Sequence, residues 1–552
     1  MPVSTLYRDR FSKFVGQYLT IEEMEQVLPW IGCDIEERGI DYLKVEFNPN
    51  RIDFSSYAGI ARAFQGIKKW KKGIPRYPVH KSDIILKIDE SVQEVRPYML
   101  SAVVKDIQLD GAAVKELMEI QEDLHWGIGR DRKKASIGVH DLDRVTPPLT
   151  YLAANPEETK FIPLNKREEM TLQEILQKHE KGRAYSHLID WASKYPLLID
   201  KKGRALSMPP IINSQLTKIE PRTKNLFLDV TGPDIKAVEQ SLNVLATALA
   251  DMGGTIQTVE VKYPDRTIVS PKLTSQKMKL RPSYVNKLLG LKLTEEKIIE
   301  CLEKCRLKTK KIKGEALEVE IPAYRIDILH EVDLVEEVAI GYGYYRLKPT
   351  RPETVTTGSL HETSRLGNLI RQTMIGLGFT EVMNFMLTNE DLQYKKMKIK
   401  PGEHIRIENP SSSEYNIGRT KLLPSLMKNL KDNRHRSFPQ RIFEISDVIQ
   451  VNMEEECQSQ RIRHLSGVSS HPTASFTEIK STGEALLTDL GFSVWKMKPK
   501  THPSCIEGRV ATINLNNRNI GFLGEIHPQV LNNFELENPV VGFEINIEKL
   551  TG

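Results

Sequence analysis

The sequence predicts an α+β chain of several domains, and three observations carry that reading. Short runs alternating apolar and polar residues, the mark of half-buried strands, recur along the whole length. Helical runs with apolar residues three and four apart stand between them, several closed by glycine. The 552 residues, 39% hydrophobic and 27% charged, suffice for several cores. Gly and Pro, 33 and 30 residues, follow no period, which excludes collagen-like and low-complexity architectures. No apolar run approaches the ~20 residues a membrane span requires. Met1-Pro2-Val3-Ser4-Thr5 leads into charged sequence with no apolar signal core, so a cytoplasmic location without a membrane partner is expected.

The elements divide into four segments. In the first, 1–85, Leu43 to Phe47 alternates as a strand and Asn48-Pro49-Asn50 is turn chemistry. A helix follows, capped by Ser55 or Ser56 and stopped at Gly66. Lys68-Lys69-Trp70-Lys71-Lys72-Gly73 reads as a domain edge or a polyanion contact in which Trp70 and Tyr77 could stack on bases. In the second, 90–265, strands at 84–88 and 99–104 precede a helix from Val114 to Trp126, and a long helix from Ile235 to Met252 ends at Gly253-Gly254. In the third, 270–347, two short helices flank Gly290 as a helix-turn-helix-like unit, the second capped by Thr294. A basic tract (Lys304, Arg306, Lys308, Lys310, Lys311, Lys313), a strand to Ile321 and a helix from about Asp327 to Ile340 complete it. In the fourth, 355–552, a helix from Ser364 to Leu377 is followed by strands at 380–387, 404–408, 441–450, 510–515, 520–525 and 540–545, an antiparallel sheet with flanking helices.

Of five cysteines, Cys301 and Cys305 lie one helical turn apart, and with no second ligand pair they read as core residues rather than a zinc site. The net charge of +5 is too mild to identify a nucleic-acid partner by itself. Asp333, Glu336 and Glu337 stand at i, i+3 and i+4 beside Asp327. Four carboxylates so close require water, a hard cation such as Mg²⁺, or an Arg-rich partner. Gln121-Glu122-Asp123-Leu124-His125-Trp126, continuing to Arg130 and Arg132, packs acid, imidazole and guanidinium into twelve residues. Ile137 to Asp141 and Met208 to Ser214 add polar tips beside apolar strands. These are ordinary turns or a pocket in which Glu122 or His125 positions a water and the arginines hold phosphate. P-loop, zincin and nucleophile-elbow motifs are absent from the sequence. Asn50-Arg51-Ile52-Asp53 and Tyr324-Arg325-Ile326-Asp327 read as one reused strand–turn–helix device.

Five motifs in order carry a family resemblance: Asn50 to Ser56 with Gly59-Ile60-Ala61-Arg62; Gly138-Val139-His140-Asp141-Leu142-Asp143; Met208 to Ser214; Tyr324 to Asp327 with Asp333 to Val338; and Gly524-Glu525-Ile526-His527-Pro528. Over essentially its whole length the chain resembles the β subunits of phenylalanyl–tRNA synthetases of the archaeal and eukaryotic type. The resemblance implies an editing domain over 90–265, which removes tyrosine misattached to tRNA(Phe). It implies a helix-turn-helix-like module over 270–347 and an inactive class II synthetase-like module over 355–552. Gln121, Glu122, His125, Arg130, Arg132 and Asn213 become the expected editing residues, and Asp327, Asp333, Glu336 and Glu337 the expected Mg²⁺ ligands. The class II pattern needs Arg-x-Glu, but Arg441-Ile442-Phe443-Glu444 has one residue too many, and no Gly-x-Gly follows residue 441. Nothing then clamps a triphosphate, so ATP and aminoacylation are expected on a partner α subunit in an (αβ)₂ heterotetramer. Bacterial β subunits carry a further C-terminal anticodon domain. Here the sequence stops at Gly552, so anticodon contact is expected through α or the basic N-terminal region. A free-standing hydrolase of mischarged tRNA and a non-enzymatic tRNA-binding scaffold are the competing readings.

Overall fold

The computed structural model describes residues 2–312, 314–351 and 356–550. It is a mixed α+β chain dividing into two compact units, Met1–Arg351 and Pro352–Gly552.

The first unit holds three bodies of secondary structure. In the N-terminal one, Tyr42–Phe47 is the centre of an antiparallel sheet between Val3–Tyr7 and Cys33–Arg38. Its buried face (Leu43, Val45, Phe47) meets Phe11 and Phe64 from helices Arg8–Val15 and Tyr57–Ile67. Ser56 caps the latter, its hydroxyl accepting from Gly59 N at 2.9 Å. Gly66 does not stop this helix, which runs on to Ile67. The glycine is there because a Cβ would collide with the carbonyl oxygen of Lys304. The basic stretch that follows is docked on the 295–304 helix: Lys69 pairs with Glu300 at 3.1 Å and Gly73 N donates to Glu303 O.

The second body is an eleven-stranded sheet. Its strands Tyr98–Lys105, Leu226–Gly232 and Ser136–Asp141, the last at one end of the sheet, lie side by side, and helices Gly111–Trp126 and Ile235–Asp251 bury their apolar faces in the same core. Asp110 and Asp234 cap the two helices, each accepting from backbone amides of the first turn. In the third body, Leu317–Ile321 pairs antiparallel with Gln276–Leu280 and Lys308–Lys311. Helices Pro282–Leu289 and Glu295–Lys304, joined through Gly290 at φ +64°, and Glu331–Tyr342 pack on it. Cys301 and Cys305 are buried free thiols, the first in that core and the second donating from Sγ to the Glu337 carbonyl at 3.2 Å. The lysines of the basic tract meet acids: Lys308 and Lys310 pair across the sheet with Glu320 and Glu318, and Lys311 pairs with Glu295 and Glu296 at the start of the helix Glu295–Lys304. Lys304 and Arg306 are buried, and Lys313 lies outside the described residues.

The second unit is a seven-stranded sheet, Thr380–Glu381, Gln440–Val451, Ser459–Ser470, Val540–Asn546, Arg518–Ile526, Cys505–Leu515, Trp495–Pro499. All pairings are antiparallel except that of Thr380–Glu381 with Gln440–Val451. Helices Glu362–Gly376 and Phe476–Asp489 bury Ile370, Met374, Ile479 and Leu486 against it. The expected strand over 380–387 is reduced to Thr380–Glu381 and Leu387–Thr388, and that over 404–408 to a single bridge between Arg406 and Ile417. Among the described residues no helix is long and apolar enough to cross a membrane.

The two Arg-x-Asp motifs do the same thing. Arg51 donates from Nε and Nη2 to the two oxygens of Asp53 at 2.9 and 3.0 Å. Arg325 does so to Asp327 at 2.9 and 2.7 Å, and also donates to both oxygens of Glu337 at 3.0 and 2.5 Å. Burial alone would push the Asp327 carboxyl up, but the Arg325 guanidinium outweighs it and holds the group below the usual carboxylate range. A lowered folded value stabilises the fold above the unfolded value of ~4, and that contribution is lost as pH falls from there through the lower folded value. Replacing Arg325 by Ala leaves two buried carboxylates without their cation. The expected cost is ~3–5 kcal/mol at neutral pH, read by urea unfolding of the full chain, with a smaller difference in acid. A loss below about 1 kcal/mol would show that the cluster is solvated.

Candidate functional site

One cavity of about 520 Å³ gathers most of the polar residues singled out from the sequence. Helix Gly111–Trp126 supplies Gln121, Glu122 and His125 to its wall. The loop after it carries three successive residues in the left-handed region, Arg130, Asp131 and Arg132, at φ 49°, 52° and 65°. Such a run is costly for non-glycine residues, and buried contacts hold its end. Arg96 Nη2 donates to the Arg132 carbonyl at 3.0 Å, and the same guanidinium binds Thr231 and Ser136. Burial lowers Arg96 to about 10. The reversal sends Arg132 into the cavity wall and leaves Arg130 exposed and outside it.

Arg132 is buried, with Tyr185 stacked over its guanidinium at 4.3 Å. Its Nη1 donates to the carbonyls of Pro210 and Ile211 at 3.1 and 2.9 Å, and its Nη2 to Glu122 Oε1 at 3.1 Å. Arg132 therefore joins the helix wall to the segment 209–213, where Asn213 lies. Gln121 and Asn213 both donate, at 3.4 Å, to carbonyls of the strand Ser136–Asp141. Lys166, Lys181 and His179 also line the cavity, and Glu180 joins Glu122 among its acids, so cations and carboxylates are mixed along the wall.

His125 accepts the amide hydrogen of Ile137 on Nε2 at 2.8 Å. Burial, then the charge of Arg132, pushes this imidazole well below its ordinary range, so it is neutral at pH 7. The nitrogen that would have to take a proton is already occupied by a donor, which removes His125 as the base that activates a water. Glu122, 56% exposed, lines the same cavity.

The cavity also has polar residues that sequence reasoning did not assign. Asp229 and Ser207 line it, and both are buried. His140 Nε2 lies 2.6 Å from Asp229 Oδ2, and Ser207 Oγ donates to the same oxygen at 3.4 Å. On its other side His140 Nδ1 meets Thr217 Oγ1 at 2.8 Å. The signal was present: Leu226–Gly232 is a wholly buried strand reading Leu-Phe-Leu-Asp-Val-Thr-Gly, and a carboxylate there must have a partner.

The second constellation, Asp327, Asp333, Glu336 and Glu337, is placed differently from the expectation. The helix begins at Glu331 rather than near Asp327. Asp333 turns back to accept from the amides of Leu329 and His330, both at 2.7 Å, and so caps the helix. Asp327 and Glu337 are saturated by Arg325. Glu336 is pushed up by burial and then by Glu337, Asp333 and Asp327. Mg²⁺ demands near-octahedral oxygen ligands at ~2.0–2.1 Å. Among the described residues no group of three or more His, Cys, Asp or Glu side chains is arranged to hold a metal ion. As placed, these four do not fit Mg²⁺, because Arg325 holds Asp327 and Glu337 while backbone amides hold Asp333.

Comparison with known proteins follows the same division. Residues 117–248 match the family described as B3/4 domain, 278–344 the tRNA synthetase B5 domain, and 347–547 the phenylalanyl tRNA synthetase beta chain CLM domain. The phenylalanine–tRNA ligase beta subunit of Methanosphaera stadtmanae is 40% identical over 563 residues, covering 100% of both chains. That of Methanocaldococcus jannaschii is 41% identical over 553 residues, covering 99% of this chain and 100% of its own. The crystal structure of an N-terminal fragment of the phenylalanyl-tRNA synthetase beta subunit from Pyrococcus horikoshii superposes with a TM-score of 0.60 at 39% identity, covering 62% of this chain and 99% of the fragment.

The Asp229–His140 pair is wedged against Gly138, where a Cβ would overlap both Asp229 Oδ2 and His140 Nε2. Gly138→Ala is expected to displace that pair and cost ~1–3 kcal/mol in thermal unfolding. An unshifted melting transition would mean that the pair has room to move.

Proposed function

The chain belongs to the phenylalanine–tRNA ligase beta-subunit family, and from that premise we propose that it hydrolyses tyrosine misattached to tRNA(Phe), in the cytoplasm, while an alpha subunit binds ATP and charges phenylalanine. The observation that carries the proposal is a cavity lined by a buried acceptor, Asp229, an exposed carboxylate, Glu122, and the cations Arg132, Lys166 and Lys181. The task is ester hydrolysis on an amino acid that differs from the correct one by a hydroxyl. Asp229, buried and oriented by His140 and Ser207, accepts the phenol hydroxyl of tyrosine. Phenylalanine in the same place leaves that buried carboxylate one donor short, which is the kind of site that discriminates strongly. The amide oxygens of Gln121 and Asn213, whose nitrogens are spent on the strand 136–141, accept from the substrate's ammonium group. Lys166, Lys181 and Arg132 attract the terminal phosphates of the tRNA, and exposed Arg130 assists their approach from outside the cavity. Glu122 orients the water and takes its proton as it attacks the ester carbon; the ribose hydroxyl leaves with a proton from solvent.

The second unit supports the division of labour. Glu444, the residue nearest an Arg-x-Glu pattern, is buried and pairs with Arg419 and Asn384, both at 2.8 Å. Arg441 pairs with Glu478 at 3.3 Å. Groups that would grip a triphosphate are thus engaged with protein. The same unit exposes Leu360, Leu369, Ile375, Met383 and Phe385 within one stretch of chain, the last two 91% and 75% exposed. Exposed apolar surface of that kind favours burial against a partner, here the alpha subunit, in an (αβ)₂ assembly.

Glu122→Ala is expected to slow deacylation of tyrosyl-tRNA(Phe) by ~10²-fold or more while tRNA affinity changes by less than about threefold; an unchanged rate removes Glu122 from the chemistry. The chain purified without its partner is expected to give no phenylalanine-dependent ATP–pyrophosphate exchange. Robust exchange would return the charging reaction to this chain.

A further inference from the structure

The His125 ring carries a donor with nothing to donate to. A backbone amide can only donate, so the contact from Ile137 N at 2.8 Å makes Nε2 the acceptor and puts the single proton of the neutral ring on Nδ1. Nδ1 is buried and has no hydrogen-bond partner, and the residue as a whole is 6% exposed. The nearest carboxylate oxygen is Glu122 Oε2 at 4.0 Å. Glu122 is held in front of it by Arg132 at 3.1 Å and Lys181 at 3.7 Å. The charged groups acting on the ring are Glu122, Arg132, Arg96 and Lys181; burial and the three cations all favour the neutral form.

We propose that His125 is a positioning residue, locked as the Nδ1–H tautomer, whose N–H closes onto Glu122 when substrate fills the cavity and aims that carboxylate at the hydrolytic water. The role rests on the editing reading above, but the tautomer does not. A rotation of the exposed Glu122 side chain, small against its own reach, converts 4.0 Å into a hydrogen bond. Substrate binding, which excludes water from the cavity, strengthens that bond. His125 then spends its one proton as a fixed donor and never exchanges it during turnover. The ring's other nitrogen ties the catalytic helix to the strand 136–141, so the orientation of Glu122 is referred to the same strand that carries Gly138 and His140.

The test has a spectroscopic arm and a kinetic arm. In ¹⁵N-histidine-labelled full-length chain, with the His125 signal assigned by its loss in His125→Gln, neutral pH is expected to show Nδ1 protonated and Nε2 bare. A protonated Nε2, alone or with Nδ1, overturns the proposal whatever the enzyme does. In tyrosyl-tRNA(Phe) deacylation, His125→Asn, whose amide nitrogen falls near the Nδ1 position, is expected to stay within about threefold of wild type in kcat, and His125→Ala to lose about tenfold or more with KM nearly unchanged. Asn as slow as Ala, with both variants melting as wild type does, or Ala as fast as wild type, also overturns it. If either variant fails to fold, the tautomer alone decides. A wild-type chain that does not hydrolyse the tyrosyl ester at all removes the editing reading, while the spectroscopic result still judges the locked ring.

Discussion

Arg62 is the point on which residues 1–351 converge. It stands on the helix Tyr57–Ile67, is buried, pairs with Asp251 at the end of Ile235–Asp251, and donates to Tyr77 at 2.8 Å. Its guanidinium lies 3.9 Å from the centre of the Tyr324 ring, which opens the second Arg-x-Asp motif. One side chain therefore touches all three bodies of the first unit. Buried charges of this kind contribute little net stability compared with apolar replacements, but removing one partner is severe. The constraint they impose is geometric. The helix carrying Gln121, Glu122 and His125 packs on the segment Pro49–Ser55 through Ile52, so the cavity wall inherits its position from the same junction.

The division of the chemistry follows from where charge is left unspent. In the second unit, and around Arg325, acids and bases satisfy one another inside the protein. The cavity differs: Asp229 has a lone pair beside the void, Glu122 is exposed among cations, and His125 has an idle donor. A site that pre-orients dipoles and excludes water needs no reorganisation when the ester arrives. That contrast separates a binding surface from a framework more clearly than residue type does, since Arg, Asp and Glu serve in both places.

Much of the fold was legible because local rules were obeyed. Strand alternation at Tyr42–Phe47, the Ser56 and Thr294 caps, and Gly290 in the left-handed region all correspond to patterns visible in the residues. The misreadings arose where a local rule met a distant neighbour. Gly66 serves close packing against Lys304, not helix termination. The helix near Asp327 starts later because Asp333 folds back onto amides 329 and 330. In the cavity, Gln121, Glu122, His125, Arg132 and Asn213 were within reach of motif reasoning, whereas Arg130 is turned outward by three left-handed residues that no periodicity announces. Asp229 was passed over although a lone acid in a core strand signals a partner, because which residue partners it, His140, is set by the pairing of distant strands. The acidic quartet shows the limit most plainly: spacing identified carboxylates that cluster, but not that Arg325 would sit between them.

The most direct measurement is a crystal structure of the chain with an amide-linked tyrosyl-adenosine, which keeps the shape of the tRNA 3′ end and resists hydrolysis. The account predicts the phenol oxygen within hydrogen-bond distance of Asp229 and the amide carbon facing Glu122, with the ribose toward Lys166 and Lys181. An analogue bound in the Pro352–Gly552 unit instead, or lying in the cavity with its ring turned away from Asp229, would contradict it.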